Sequence, residues 1–434
     1  MPILFSDVTV VPMDGAPQVL EHAYVAVEGT KIASVGTEPP EGTFDRVVDG
    51  AGKVLLPGFV NAHTHLPMTL MRGYGGGCDL HTWLNQYIFP AEARLDSRAV
   101  AAGAGLGLAE MIASGVTCVA DMYMHTGTIA EQILEAGISA NLSCGGVYFG
   151  APEDFSPETC GDCRNQAALT EEWHGAGAGQ ILVDASVHGE YTSNPPLWRW
   201  MAEYAAEHRL GMHVHVSETQ SEHQASLERW GKTPIQALDG CGVWDCGRSL
   251  AAHCVYTTEE DWALMAEKGI SCVHNPWSNL KLGSGVAPIP AMMRAGVNVA
   301  LGTDGMSSHN SADLFSDIKL AAALHNGVER DPMAVSAWAA LEIATVNGAR
   351  ALGRDTGVIA PGKTADLILV DLSAPNLIPC HDPVEDLVFS AHGSNVEMNM
   401  ARGQVIYEKG SFLTLDLERV RWEVEHYALP LIFG

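Results

Sequence analysis

Eight short apolar runs, separated by stretches with helical periodicity, constrain the fold of this chain more than any other feature. The helical stretches include residues 96–114, 196–208, 258–268 and 287–295. Alternation of this kind predicts parallel β/α units, and eight of them predict an α/β fold with a (β/α)8 barrel. The eight runs are GFVNAHTH, VTCVADMY, SANLSCGG, ILVDASVHG, LGMHVHVSE, RSLAAHC, ISCVHNP and VNVALGTDG.

The two ends of the 434-residue chain differ from its middle. Short strand-like runs such as DVTVVPM and ADLILVDL are separated there by glycine and proline turns. Neither end is long enough to bury a good core alone. We therefore predict a small β-sandwich domain assembled from residues 1–57 and 360–434, the second part ending in a helix. The barrel is predicted to occupy residues 58–359.

Charge and hydropathy exclude several classes of function. The formal net charge is −28, from 24 basic and 52 acidic residues, which argues against binding to nucleic-acid polymers or anionic membranes. No apolar run is long enough for a membrane span, and the N-terminus MPILFSDVTVVPMDG lacks the basic region of a secretory signal. We expect a cytoplasmic protein whose partners are a small molecule and water; self-association stays open.

Polar residues recur where the apolar runs stop. In a (β/α)8 barrel the carboxyl ends of all strands converge on one mouth, where active sites lie. With 18 histidines in the chain a single one is weak evidence, but a set at successive strand ends is not. The set comprises His63 and His65 (first strand), His188 (fourth), His215 (fifth), His253 (sixth), His274 (seventh) and Asp304 (eighth).

This set is suited to binding a metal. His63 and His65 alternate along an extended segment, so both side chains reach the same side. With His215 and Asp304 they supply the histidine and carboxylate ligands of a catalytic site that keeps one position open. We expect a divalent ion, zinc in the first place, with iron and manganese also compatible.

One absence indicates the number of metal ions. Two-metal barrels commonly use a bridging carbamylated lysine at the end of the fourth strand. Here no lysine occurs between Lys53 and Lys232, so the second, third and fourth strands cannot supply one. A mononuclear site is therefore predicted.

Proton-handling groups follow the predicted ligands. In HVHVSETQSE, Glu218 lies three residues beyond His215 and could move a proton from water to a substrate nitrogen. His253 could hydrogen-bond the same water. His213 is expected to pack or hydrogen-bond, and His274 to lie near the pocket.

Ten cysteines in a cytosolic chain are expected to be reduced. Cys160 and Cys163 have C-x-x-C spacing but no thioredoxin-like context, so we expect a loop without a redox or metal role. Four others lie in apolar runs and are predicted to be core residues: Cys118, Cys144, Cys254 and Cys272.

Several longer segments resemble the amidohydrolase superfamily, in particular its mononuclear deaminases of purine-like rings. They include PGFVNAHTHLPMTLMRGYG, AAHCVYTTEED and ADLILVDL. The segments SNLKLGSGVAPIPAM and GTDGMSSHNSADLFSDIKLAA are similar to the 5′-methylthioadenosine/S-adenosylhomocysteine deaminase family. The resemblance covers nearly the whole chain.

The resemblance implies a role for each matching residue. His63, His65, His215 and Asp304 would be the metal ligands; Glu218, His253 and Asp304 would be the catalytic residues. Substrate contacts are implied for Trp83, Glu92, His188 and Ser308. One position departs from the family: where members that bind the adenosylhomocysteine tail carry an arginine, this chain has Cys144, and Arg164 matches a second arginine only loosely. That departure weakens the expectation of a carboxylate-bearing substrate.

The expected reaction is hydrolytic deamination of an adenosine derivative such as 5′-methylthioadenosine or S-adenosylhomocysteine. Water would attack the ring carbon that bears the amino group, with Asp304 and His253 accepting its proton and Glu218 protonating the adjacent ring nitrogen. The alternative is a deaminase, or a chloro- or amino-hydrolase, of another ring: guanine, pterin, cytosine or s-triazine. A two-metal cyclic-amide hydrolase and a non-enzymatic barrel are less compatible with the residues.

Overall fold

The computed structural model describes residues 2–434. Its strands, in chain order, are β1 (Ile3–Val10), β2 (Leu20–Glu28), β3 (Lys31–Gly36), β4 (Arg46–Asp49), β5 (Lys53–Pro57), β6 (Phe59–His65), β7 (Val116–Met122), β8 (Ser139–Ser143), β9 (Ile181–Val183), β10 (Ala185–Gly189), β11 (Met212–Val216), β12 (Ser249–His253), β13 (Ile270–His274), β14 (Val299–Leu301), β15 (Asp304–Gly305), β16 (Leu367–Asp371), β17 (Val396–Ala401), β18 (Gln404–Glu408) and β19 (Ser411–Phe412).

The four helices predicted from the sequence begin within two residues of their predicted starts, and capping residues set the first turn of two of them. The side chains of Asp96 and Thr258 accept hydrogen bonds from backbone N–H groups of the helices that follow them. The α-helices are α1 (Leu80–Trp83), α2 (Phe89–Glu92), α3 (Ser97–Ala113), α4 (Thr126–Ala136), α5 (Gly161–Trp173), α6 (Ala176–Gly179), α7 (Pro195–His208), α8 (Gln220–Trp230), α9 (Pro234–Asp239), α10 (Glu259–Lys268), α11 (Pro276–Lys281), α12 (Ile289–Arg294), α13 (Leu314–Glu329), α14 (Ala337–Ala344), α15 (Val346–Leu352), α16 (Pro383–Phe389), α17 (Leu417–Glu423) and α18 (Leu429–Phe433).

Strands β6 to β15 form the predicted barrel. Two parallel sheets run in the orders β15-β6-β7-β8-β9 and β10-β11-β12-β13-β14. Only Asp184 separates β9 from β10, and only Gly302 and Thr303 separate β14 from β15, so the two sheets join into one closed ring. All eight predicted strands are present, the fourth and eighth each in two pieces. Their carboxyl ends therefore share one mouth, as the sequence predicted.

The apolar run at residues 54–60 corrects one expectation. The sequence suggests a buried strand that is broken at Pro57 and Gly58 and ends at Asn61, whereas the structure contains two strands in different sheets. β5 pairs antiparallel with β16 of the terminal sheet, and β6 continues through His65 in the barrel. At the junction, Gly58 donates its N–H to the carbonyl of Asp366. The change of sheet at this glycine carries the chain from the terminal sheet into the barrel.

Replacing Gly58 with alanine should destabilise the protein by about 1–3 kcal/mol, because the added methyl group overpacks a rigid contact. A Cβ atom there would lie 2.3 Å from Cγ2 of Thr117, a β-branched side chain that cannot move aside easily. Thermal unfolding would measure the loss, with Gly36→Ala as the control, since its Cβ would meet no atom within 4 Å. Equal unfolding temperatures for both variants would contradict this packing.

Strands from both ends of the chain form one nine-stranded sheet. Its order is β19-β18-β17-β16-β5-β1-β2-β3, with β4 paired to β1. The contact between the two chain ends is the β5–β16 pair, in which Leu55 lies opposite Leu369. Alternating apolar residues of these strands, such as Phe5, Val25 and Met398, form a core separate from that of the barrel.

The C-terminal helical segment packs on the barrel. Arg98 pairs with Glu423, and the Arg94 guanidinium donates to the carbonyl of Ile432 at 2.6 Å. The C-terminal helical segment therefore lies beside the segment between β6 and α3, which forms one wall of the candidate site.

Within residues 2–434 no helix is both long and apolar enough to cross a membrane.

Candidate active site

A mostly apolar cavity of about 420 Å³ opens at the carboxyl ends of the barrel strands. This volume is within the usual range for a small-molecule site. Most of the polar residues predicted from strand ends line it, at one end: His65, His188, His215, His253 and Asp304, together with Glu218. Trp83 and Glu92, from the segment after the first strand, line another wall.

Four predicted ligands converge at the bottom of this cavity. His65 Nε2 lies 3.3 Å from His215 Nε2 and 3.1 Å from Asp304 Oδ1. His63 Nε2 lies 3.5 Å from Asp304 Oδ1. Ligands held at 2.0–2.1 Å from a tetrahedral metal ion are separated from each other by roughly 3.3–3.4 Å. The spacing therefore fits one metal ion between these side chains.

The hydrogen bonds on the far side of each imidazole set its tautomer. His65 Nδ1 donates to the carbonyl of Met122, and His215 Nδ1 to that of His188, both at 2.6 Å. A carbonyl can only accept, so the proton resides on Nδ1 and the Nε2 lone pair faces the cluster. His63 Nδ1 lies 2.8 Å from Nε2 of His213, which takes up the hydrogen-bonding role expected for it.

Burial supports the ligand form of two of these histidines. It lowers the pKa of His63 to about 3 and holds the pKa of His215 well below its ordinary value. Burial also acts against protonation of His65, but the hydrogen bond to Asp304 and the charge of Asp304, together with the hydrogen bond to the Met122 carbonyl, outweigh burial and raise the pKa of His65 to about 9. The buried Nε2 of His63 has no hydrogen-bond partner among residues 2–434. A metal cation would satisfy that nitrogen and displace the proton that His65 and Asp304 otherwise share.

The carboxylate of Asp304 is fixed by two serines. Its Oδ2 accepts from Ser278 Oγ at 2.6 Å and lies 3.0 Å from Ser308 Oγ, which leaves Oδ1 towards the histidines. Ser308, predicted to contact substrate, does not line the cavity. Ser278 was not predicted, because it lies on α11, beyond the end of the seventh strand.

Glu218 and His253 face one another beside the cluster. Glu218 Oε2 lies 3.8 Å from His253 Nε2, and both residues line the cavity. His253 Nδ1 lies 2.8 Å from Oδ1 of Asn279. The amide oxygen can only accept a hydrogen bond, so Nδ1 carries the proton and Nε2 of His253 is left as an acceptor. Burial raises the pKa of Glu218 above its ordinary value. This carboxyl group can therefore hold a proton closer to neutral pH than an exposed one.

A second buried carboxylate fixes the backbone at Glu218. Glu222 accepts the N–H groups of Ser217 at 2.8 Å and of Glu218 at 2.7 Å. Ser217, His253 and Asp304 all have positive φ, of 51°, 74° and 61°. Such backbone conformations are strained in residues other than glycine and concentrate at functional sites. The site thus holds its polar side chains at some conformational cost.

Three of the four predicted substrate-contact residues line the cavity. Trp83 is buried and donates its indole N–H to the carbonyl of Tyr74 at 3.2 Å. Glu92 Oε1 accepts from the hydroxyl of Tyr123 at 2.6 Å, and burial raises the pKa of Glu92. His188 Nδ1 lies 3.1 Å from Thr192 Oγ1. Each side chain is therefore held at a fixed place in the wall.

His274, expected near the pocket, does not line the cavity itself; it is buried, and its Nε2 lies 3.1 Å from Nε2 of His325. One other expectation needs correction. Cys144, expected in the core, lies one residue beyond the end of β8 and lines the cavity. Cys118, Cys254 and Cys272 are buried as predicted, and all ten cysteines are free thiols.

Comparison with known proteins identifies the family. The model of the amidohydrolase family matches residues 54–406. The chain belongs to the amidohydrolase family. A 5-methylthioadenosine/S-adenosylhomocysteine deaminase of Caldanaerobacter subterraneus subsp. tengcongensis is 41% identical over 436 residues, covering 100% of this chain and 99% of the relative. A 5′-deoxyadenosine deaminase of Methanothermobacter thermautotrophicus is 40% identical over 412 residues, 95% of each chain.

A solved structure extends the likeness to three dimensions. An adenosine deaminase from Xanthomonas campestris with bound zinc superposes with a TM-score of 0.92 at 32% identity, covering 99% of this chain and 98% of that one. The predicted resemblance to the amidohydrolases and their adenosine-type deaminases is confirmed, as is the prediction of a hydrolase of carbon–nitrogen bonds. The barrel is the fold of this amidohydrolase family.

Proposed function

We propose that this amidohydrolase is a deaminase that replaces the amino group of an adenosine derivative with oxygen from water, releasing ammonia. The observation that carries the proposal is a buried carboxyl group, that of Glu218, beside a cluster of histidines and an aspartate that could hold a metal ion, in a cavity sized for a small molecule. Two relatives at about 40% identity over nearly the whole chain, a 5-methylthioadenosine/S-adenosylhomocysteine deaminase and a 5′-deoxyadenosine deaminase, support the ring class.

One divalent metal ion, with zinc as the first candidate, is assigned to the site formed by His63, His65, His215 and Asp304. His63, His65 and Asp304 form one group whose ligand atoms could hold a metal ion, and His215 Nε2 lies 3.3 Å from His65 Nε2. The buried His63 Nε2, which lacks a hydrogen-bond partner among residues 2–434, also supports this set. When bound, such an ion supplies Lewis acidity that lowers the pKa of water from 15.7 to about 7. The bound zinc of the Xanthomonas campestris deaminase is consistent with this choice.

Proton transfer is assigned to side chains of the chain itself. His253 Nε2, set as an acceptor by Asn279, orients the attacking water. Glu218 passes a proton to the ring nitrogen next to the carbon under attack, and Asp304, steadied by Ser278 and Ser308, takes a proton from the water. The proton held by Asp304 then passes to the amino group, which leaves as ammonia as its bond to the ring carbon breaks, and the added hydroxyl returns a proton to Glu218 as the oxo group forms. Water and the amino compound are consumed; the oxo compound and ammonia form.

Binding of the substrate is assigned to the other walls. Trp83 can cover an aromatic ring. Glu92 accepts a hydrogen bond from Tyr123 at Oε1, and its other carboxylate oxygen can accept hydrogen bonds from ribose hydroxyls. His188 can hydrogen-bond the substrate at the edge of the metal cluster. Ser308 acts through Asp304 instead of touching substrate.

We also infer the domain division from the sheet pairing. Residues 1–57 and 360–434 would form one domain around the barrel of residues 58–359. The separate core shared by strands of both ends supports a sheet folded over itself as a small sandwich.

Ammonia release from a panel of rings tests the proposal. The metal-loaded protein would be offered adenosine, 5′-methylthioadenosine, S-adenosylhomocysteine, guanine, cytosine, a pterin and an aminotriazine. We expect turnover of at least one adenosine. If no adenosine releases ammonia and another ring does, the substrate belongs to the alternative class of rings, while the assignment of the site residues is retained.

A further inference from the structure

We propose that the mouth of this cavity selects adenosine derivatives with an uncharged or cationic 5′ substituent and discriminates against a carboxylate-bearing one, with Asp162 as the specificity-determining residue. The inference rests on the proposed function and concerns the part of the substrate beyond the ribose. We define the mouth wall as the cavity-lining residues Leu84, Phe89, Val147, Phe149 and Asp162.

The mouth wall is the solvent side of the cavity. Phe89 is 43% exposed and Phe149 is 79% exposed, whereas the ligand cluster at the other end is buried. A ring placed against that cluster therefore directs its 5′ substituent towards the mouth wall.

No lysine or arginine side chain of residues 2–434 lines the cavity. Among its described lining residues there is neither lysine nor arginine, whereas four are carboxylates: Glu92, Asp162, Glu218 and Asp304. Recognition of a carboxylate in a partly buried site normally relies on a guanidinium or ammonium group. A substrate carboxylate at the mouth would thus find no cationic partner to replace the water that it gives up on binding.

The nearby cations are committed elsewhere. Arg164, on α5, is exposed and donates to the backbone carbonyl of Glu158 at 2.8 Å. Arg72 is paired with Glu110, and Lys281 donates to the carbonyl of Ser307 at 2.8 Å. None of the three lines the cavity.

Asp162 is held in the wall by the chain. Its Oδ2 accepts the N–H of Val147 at 2.8 Å, which ties the start of α5 to the loop after the third strand. Asp162 forms no ion pair within residues 2–434, so its charge is not neutralised by a neighbour. A second anion at the mouth would be repelled, and an amine would be attracted.

The rest of the mouth wall is apolar. Leu84, Phe89, Val147 and Phe149 offer hydrocarbon surface that a thioether or methyl group can cover, and removing such surface from water is favourable. A short neutral tail therefore gains contact without any unpaired charge.

Three substrates that share the adenosine ring system and differ in the 5′ substituent distinguish the effect of the substituent's charge from that of its length. We would measure kcat/KM for ammonia release from 5′-methylthioadenosine, S-adenosylhomocysteine, and the decarboxylated analogue of the latter, which keeps the chain length and the amine. We expect the methylthio and decarboxylated compounds to exceed S-adenosylhomocysteine by about tenfold or more, an energy difference of about 1.4 kcal/mol or more. Equal values for S-adenosylhomocysteine and its decarboxylated analogue would overturn the proposal.

Asp162→Asn tests the assigned residue, because asparagine keeps an acceptor for the Val147 N–H and removes the charge. We expect kcat/KM for S-adenosylhomocysteine to rise relative to 5′-methylthioadenosine by roughly threefold or more. Asp154→Asn, which changes an exposed acid in the connection that precedes α5, should leave the ratio unchanged. An unchanged ratio in Asp162→Asn would overturn the assignment. Absence of turnover for every adenosine would instead refute the proposed function.

Discussion

Glu218→Gln should lower kcat by about 10²–10⁴-fold while leaving the metal content unchanged. Glutamine keeps the size of the side chain and its contact with Ser284 Oγ, 3.3 Å from Oε1, but it cannot shuttle a proton. Ammonia release measures the loss, and elemental analysis of the same preparation measures the metal.

Glu228→Gln is the matched control for this variant. Glu228 lies on the exposed surface of α8, ten residues after Glu218, and should tolerate the same change without loss of rate. Retained activity in Glu218→Gln would show that the proton comes from another group. A joint loss of metal and activity would instead make Glu218 part of the metal site.

His215→Ala should abolish stoichiometric metal binding. The variant removes one of the four converging ligand atoms and leaves His65 Nε2 without the neighbour 3.3 Å away. Loss of a direct ligand should weaken metal affinity by more than the roughly 10–100-fold typical of outer-shell partners. Metal per chain after dialysis, determined by elemental analysis, checks this expectation.

His381→Ala serves as the control, because His381 is exposed and far along the chain from every strand end of the barrel. It should retain the metal content of the unaltered protein. If His215→Ala retains it too, His253, which lies with His63 and His215 in a second metal-capable group, would have to be the ligand in its place.

Much of the fold and of the site could be predicted because both depend on local patterns. The barrel follows from eight apolar runs, and its geometry converts polar residues at strand ends into one cluster. His65, His215 and Asp304, from three distant parts of the sequence, meet within hydrogen-bonding distance for that reason.

The supporting residues could not be predicted from single strands. Asn279 and Ser278 act through contacts with His253 and Asp304 that depend on how the turn after β13 packs across neighbouring strands. Glu222 reads as an ordinary capping residue of α8, yet it also holds the backbone of Glu218. Pairings between separate loops are not encoded in periodicity.

Strand ends were the weakest part of the sequence prediction. Cys144 continues the apolar run of the third strand, but β8 stops at Ser143 and turns the thiol into the cavity wall. In the first strand the error was the reverse, because Pro57 and Gly58 mark a change of sheet and the strand then continues to His65. A difference of one residue in where a strand ends determines whether a side chain lies in the core or in the cavity wall, as Cys144 shows.

The most direct test of the account is the product formed from 5′-methylthioadenosine in water enriched in heavy oxygen. Mass spectrometry would be applied to the nucleoside product of the metal-loaded protein. We predict the corresponding inosine with one heavy oxygen on its ring, together with an equal amount of ammonia. Release of free adenine, or an unchanged nucleoside under conditions that saturate the metal site, would contradict hydrolytic deamination.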